Sequence, residues 1–142
     1  SDLEETFHLS HALGANAAPL TARAHFISRR LKTPLVEVAP QISVWRIGRE
    51  LHLNKSQLKF HRHSVEGDEV RLAFLKALMA KEIVFIYQQD LKAMVHHYQS
   101  FEAFVAALTA YLKHQGQCEK RPSGFPKTES WIAIPKEDFD WF

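Results

Sequence analysis

Pro34-Leu-Val-Glu-Val-Ala-Pro40 is the stretch on which the fold reading turns: two prolines bracket a short apolar run with one carboxylate, Glu37, at its centre. Proline has no backbone N–H and disfavours helix at the residue before it, so Pro34 and Pro40 bound an extended segment about five residues long. Leu35, Val36 and Val38 give the run apolar, β-branched character, too short for a helix and long enough for a buried strand. Alternation puts Leu35, Glu37 and Ala39 on one face and Val36 and Val38 on the other. Glu37 then points where a core side chain would go, or into a cleft at a strand end. A buried carboxylate costs several kcal/mol unless a cation, a donor network or a metal compensates it. The alternative is an edge strand with Glu37 facing water.

Working outward, Leu20, Ala24, Ile27 and Leu31 fall at helical spacing, which predicts a helix from about Leu20 to Lys32 ahead of the strand. A shorter helix is expected over Leu3 to Leu13, stopped by Gly14. After Pro40, Gln41 to Glu50 reads as a short helix and is followed by a basic, histidine-rich loop. Glu66-Gly-Asp-Glu opens a helix running to about Glu82, striped by Val70, Phe74, Leu75, Leu78 and Met79, with early acids suited to its positive end. Ile83 to Tyr87 is a β-type run that abuts this helix without a breaker, so strand and helix both remain open. Asp90 to Tyr98 is a short helix or a turn-rich connection. Phe101, Phe104, Val105, Leu108 and Leu112 then form a clear stripe, and the interleaved alanines allow close packing on a sheet. Residues 115–130, with Gly116, Pro122, Gly124 and Pro126, form a loop. Trp131 to Pro135 reads as a late strand, and 136–142 as an aromatic and acidic tail.

The 142 residues, 46% hydrophobic and 11% aromatic, suit one globular domain with a real core. With 18 Lys and Arg against 16 Asp and Glu, net charge carries no footprint of nonspecific nucleic-acid binding. Local sorting is stronger: Arg46, Arg49, Lys55, Lys59 and Arg62 face Glu50 alone, with His52, His61 and His63 added. Such a patch suits phosphates; its plainer reading is a solvated face. The single cysteine, Cys118, excludes an intrachain disulfide. No apolar run approaches the roughly 20 residues of a membrane span, and no signal peptide is recognisable, so a cytoplasmic protein without membrane partners is expected. The chain opens without methionine, which leaves open that it is a piece of something longer.

The order and spacing of Val36-Glu-Val-Ala-Pro40, Ser64-Val-Glu-Gly67 with Arg71, Glu102-Ala-Phe-Val-Ala-Ala-Leu108 and Ser130-Trp-Ile-Ala-Ile-Pro135 resemble one known family. It is the uncharacterised predicted nucleases with a ribonuclease-H-like fold, domain-of-unknown-function family 429, and the likeness is to their C-terminal part. The resemblance spans roughly Ala17 to Pro135. It implies an α/β, ribonuclease-H-like fold with a short central sheet flanked by helices, residues 1–142 forming one domain or the C-terminal portion of a longer one. In that fold carboxylates from strands and a late helix converge on two divalent cations, Mg or Mn, which activate water and stabilise the leaving oxygen of a phosphodiester. By match, Glu37 and Glu102 would be the catalytic metal ligands. Lys59, Arg62 and Arg71 would hold the backbone of a nucleic-acid substrate, since phosphate contacts position without reading sequence.

Two departures bear on activity. The family's Gly-x-Asp strand is not found before Glu37, and Gln99 stands where members usually carry an acid three residues ahead of the helix carboxylate, itself here a glutamate in place of aspartate. These leave three readings: a divalent-metal-dependent nuclease completed by further chain, a non-catalytic module that binds nucleic acid or protein through Arg46 to His63, or an oligomeric domain that uses Phe139 to Phe142 as its contact. Nine histidines, with His8 and His11, His61 and His63, and His96 and His97 close in sequence, raise zinc binding, yet no His-x-x-x-His or Cys-x-x-Cys framework accompanies them. The absence of a Gly-x-Ser-x-Gly elbow or a Gly-rich phosphate loop argues against an esterase or a nucleoside-triphosphate enzyme.

Overall fold

Helices take up most of the apolar periodicity of this chain. The structure, a computed structural model, describes residues 18–128 and 131–142. The helix expected over Leu3 to Leu13, with His8 and His11, lies outside the described residues. Two compact units are present, Ser1–Val36 and Glu37–Phe142. The first contains α1 (Ala18–Ser28), close to the expected helix, with the Arg30 guanidinium 3.6 Å from the centroid of the Phe26 ring.

The second unit contains α2 (Pro40–Glu50), α3 (Lys55–Leu58), α4 (Glu66–Ala80), α5 (Gln88–His96) and α6 (Tyr98–His114). Pro40 sits in the first turn of α2, where its missing N–H is no loss. Three helices end in one way, with an N–H reaching back five residues: Leu53 to Gly48, Ile83 to Leu78 and Gln117 to Leu112. The residue before each donor is left-handed, His52 at φ 60°, Glu82 at φ 57° and Gly116 at φ 72°. This closure stops α4 at Ala80 without any breaker in the sequence.

The expected α/β fold with a central sheet is corrected here: among the described residues there is no strand, only two isolated bridges, Val38 with Ala133 in parallel and Cys118 with Pro135 in antiparallel. Within the second unit, Glu37 and Val38 do meet the Trp131 to Pro135 segment, through the Ala133 N–H donating to the Glu37 carbonyl at 2.8 Å. Prolines at Pro40 and Pro135 end each run without a donor, so the ladder stops after one rung. Ile83 to Tyr87 keeps the alternation of a strand, with Val84 and Ile86 half-buried and Phe85 and Tyr87 exposed, yet it pairs with no described segment. The core is instead helix on helix: α4 on α5, α5 on α6, and α2 on α6. Ala103 and Ala107, expected against a sheet, face solvent.

Phe74, Leu75 and Leu78 of α4 and Phe101, Val105 and Leu112 of α6 are essentially sealed from water. Gly48 lets α3 lie against α2, since a Cβ there would come 2.6 Å from Leu58 Cδ1. The C-terminal tail, read as a partner contact, belongs largely to this core. Phe139 and Trp141 are buried and pack edge to face at 5.0 Å, the Trp141 indole donates to Glu50 Oε2 at 2.7 Å, and the Tyr111 hydroxyl donates to the Trp141 carbonyl at 2.9 Å. Phe142 is 88% exposed. Trp141→Ala should therefore cost about 3–5 kcal/mol, whereas Phe142→Ala should stay within about 0.5 kcal/mol of the parent. Midpoints of urea unfolding decide it; equal midpoints for the two variants would mean that the tail is not packed.

Candidate functional site

The basic loop between α2 and α4 and the first turns of α6 bring together two of the residues singled out by sequence, Arg62 and Glu102. The Arg62 fork closes on the Glu102 carboxylate through both ends, Nε to Oε2 at 2.7 Å and Nη2 to Oε1 at 2.6 Å. Such a bidentate pair has the strongest geometry open to these groups. Glu102 is 8% exposed, so its side chain lies on the inner side of α6. His61, also buried, stands behind the pair with Nε2 3.7 Å from Glu102 Oε2. Its Nδ1 lies 3.0 Å from the Leu58 carbonyl; a carbonyl only accepts, so Nδ1 carries the proton.

Burial pushes the Glu102 carboxyl upward, but His61 and the Arg62 fork more than offset this and hold it below its usual value near 4.5. The same fork raises Arg62.

Arg71, expected at the substrate, is 2% exposed. It donates from Nε to the Val95 carbonyl at 2.7 Å, from Nη1 to the His61 and His63 carbonyls, and from Nη2 to Asp68 Oδ1; His96 Nδ1 lies 3.0 Å from the other Asp68 oxygen. Gly67 makes this possible. A Cβ there would overlap Arg71 Nη1 and come 3.1 Å from the Phe60 carbonyl. The Gly67 and Arg71 spacing in the matched motif is thus a joint that pins the basic loop onto α4 and α5.

The remaining expected residues are placed separately. Glu37 is exposed, with its carbonyl on Ala133. Lys59 is exposed, its Nζ 5.0 Å from the centroid of the Phe60 ring, and Lys55 Nζ stands 4.4 Å from that of Trp45. Arg46, counted in the basic patch, is buried and turned inward onto the Pro135 carbonyl at 3.2 Å and Glu119 at 3.3 Å, with Glu137 at 3.8 Å. Sequence reasoning missed the inward roles of Arg46, Arg62 and Arg71. The one available signal was Gly67, four residues before Arg71 on the same helical face.

Placed in this way, the residues do not fit the Mg or Mn pair implied by the resemblance. Arg62 covers the bidentate face of Glu102 that an ion would use, and Glu37 faces solvent. Among the described residues no group of three or more His, Cys, Asp or Glu side chains is arranged to hold a metal ion. Burial pushes the Cys118 thiol up to about 11, which favours its protonated form. No helix among the described residues is long and apolar enough to cross a membrane.

Because the folded carboxyl of Glu102 titrates lower than the unfolded one, its contribution is complete above pH ~4.5 and fades as pH falls through the lower folded value. Glu102→Gln should destabilise by about 1 kcal/mol at pH 7, discounted because Arg62 is partly solvated. Its unfolding curve should converge with that of the parent as pH falls through the lowered folded value. A constant difference across that acid window would mean that charge is not what Glu102 supplies.

No curated protein and no solved structure matches the chain significantly. A family model does, over residues 3–127, which is most of the 142, and the chain therefore belongs to the family described as "Protein of unknown function (DUF429)".

Proposed function

We propose that this chain acts as a non-catalytic nucleic-acid-binding module, contacting single-stranded nucleic acid through the exposed side of the loop that joins α2 to α4. The observation that carries this reading is the closed fork of Arg62 on Glu102. It makes the carboxylate a brace for the loop in place of a ligand for an ion.

With Arg62 holding the loop to α6 and Arg71 holding its carbonyls, the exposed residues Lys59 and Phe60 are presented from a fixed scaffold. Arg49 and Lys55 are also exposed nearby in sequence. Cations beside an accessible aromatic ring are the means by which single strands are held without sequence readout: the charges follow the backbone and the ring stacks a base. Of the five cations that marked this stretch, Arg46 and Arg62 are engaged by carboxylates of the same chain, so the surface is smaller than composition alone suggests.

The metal-dependent nuclease implied by the resemblance would require Arg62 to leave Glu102 before an ion could take its oxygens. One experiment separates the two. Fluorescence anisotropy with a labelled single-stranded oligonucleotide should give affinity that falls with salt. Lys59→Ala should lower the salt slope by about one and Phe60→Ala should weaken binding by about 1–3 kcal/mol. Glu37→Gln should bind as the parent does. Cleavage of the oligonucleotide with Mg or Mn that disappears in Glu37→Gln would replace this reading with the enzymatic one, and salt-insensitive binding would remove it.

A further inference from the structure

The run Ile83 to Tyr87, between α4 and α5, has the pattern of a strand without a neighbour. Ile83, Val84 and Ile86 pack against the core, whereas Phe85 and Tyr87 are 82% and 67% exposed. The Phe85 and Tyr87 rings meet edge to face with centroids 5.1 Å apart, as side chains two residues apart can on one face of an extended chain. Both ends of the run are closed: the Ile83 N–H reaches back to the Leu78 carbonyl at 3.1 Å, and the Tyr87 carbonyl accepts from the Leu91 N–H at 2.9 Å. Between them, the main-chain groups of Val84, Phe85 and Ile86 bond to no other main-chain group of the described residues. Successive residues of an extended chain direct their N–H and C=O to opposite edges. Val84 and Ile86 therefore share one edge, and none of its groups is committed; Ile83 and Tyr87, already bonded, lie on the other with Phe85.

We propose that this edge pairs with the same edge of a second copy of the chain, antiparallel and two-fold symmetric about Phe85. Unpaired donors and acceptors in a row are what strand addition uses. The run is its own complement. Val84 of one copy and Ile86 of the other exchange N–H and C=O bonds, and the two-fold axis repeats the exchange; Phe85 faces Phe85 across the axis as the closely spaced pair without hydrogen bonds. Ile83 then lies opposite Tyr87, a β-branched residue against an aromatic ring, which is a favourable cross-strand pair. Charge supports the same occupant. Nothing between Glu82 and Asp90 is charged, so the paired runs bring no like charges opposite one another, and a charged strand would find no counterion there. The exposed apolar surface of Phe85 and Tyr87 is partly covered by the same two rings of the other copy.

Lys59, Phe60 and the Arg62 fork take no part in this pairing, so it and the nucleic-acid reading stand or fall separately. Sedimentation equilibrium of the whole chain should show monomer and dimer exchanging at about micromolar concentrations, since so short a pairing is weak. Phe85→Lys and Phe85→Glu should each abolish the dimer, because each sets like charges opposite one another at the axis, and an equimolar mixture of the two variants should regain it. Phe85 is exposed, so both variants should keep the amide spectrum of the parent monomer. In the parent, raising the concentration should slow hydrogen exchange at the Val84 and Ile86 amides and leave the Phe85 amide fast, since its N–H lies on the other edge. A chain that stays monomeric over this range leaves the edge to an unrelated extended segment and overturns the proposal. A dimer that survives both variants, a mixture that stays monomeric, or slowing at Phe85 in place of Val84 and Ile86 overturns it as well.

Discussion

Arg71 carries a full positive charge at 2% exposure, and the second unit is arranged so that this charge is never without acceptors. A buried guanidinium has five donors in a fixed fork and cannot lose its proton, so every direction in which it points must meet an oxygen. The oxygens come from three places that sequence keeps apart: the loop carbonyls of His61 and His63, the Val95 carbonyl near the end of α5, and the Asp68 carboxylate one turn back on α4. Removing the side chain would leave at least two carbonyls unpaired in the interior, each costing about 1–3 kcal/mol. The loop that joins α2 to α4 owes its path to this demand, and Gly67 is the residue that clears the space.

Arg46, also buried, and Arg62, buried only in part, make further long-range ion pairs. Arg46 reaches from α2 to the Pro135 carbonyl and to Glu119, closing the C-terminal segment over the helices, and Arg62 reaches from the loop to α6. Each pair is separated by 40 residues or more. A core made only of Leu, Val and Phe tolerates sliding of one helix on another; a fork closed on a carboxylate does not, because misalignment leaves a charge uncompensated. The apolar faces thus supply most of the burial, and the three arginines select which arrangement of those faces is kept.

That division explains what could be read from residues alone. The periodicity of Phe74, Leu75 and Leu78, and of Phe101, Val105, Leu108 and Leu112, was legible because helical spacing is a local property. Pro40, Gly48 and the glycines and prolines after Gln115 marked boundaries for the same reason. The strands were not legible as absent, since Val36 to Val38 and Ile83 to Tyr87 carry β-type residues and even β-type alternation; whether such a run becomes a sheet depends on a neighbour elsewhere in the chain. The paired fates of Arg62 and Glu102 were invisible for a kindred reason. Nothing in either local stretch marks the pairing, and only the fold makes one the counterion of the other.

The same logic governs how charge is presented outward. Counting cations between Arg46 and His63 suggested a dense phosphate-binding patch, yet two of its three arginines, Arg46 and Arg62, are engaged by carboxylates of the chain itself. Lysines and an aromatic ring are what the loop offers to solvent. Lys59 is a flexible point charge and Phe60 a flat apolar plate; together they favour contacts that tolerate variation in the partner over contacts that read it. Glu66 and Glu69, in the first turn of α4, set the opposite sign on a neighbouring exposed surface. The Arg71 guanidinium is answered by backbone carbonyls and Asp68, so the joint built on Gly67 and Arg71 draws on none of Lys59, Glu66 and Glu69, which stay exposed around it.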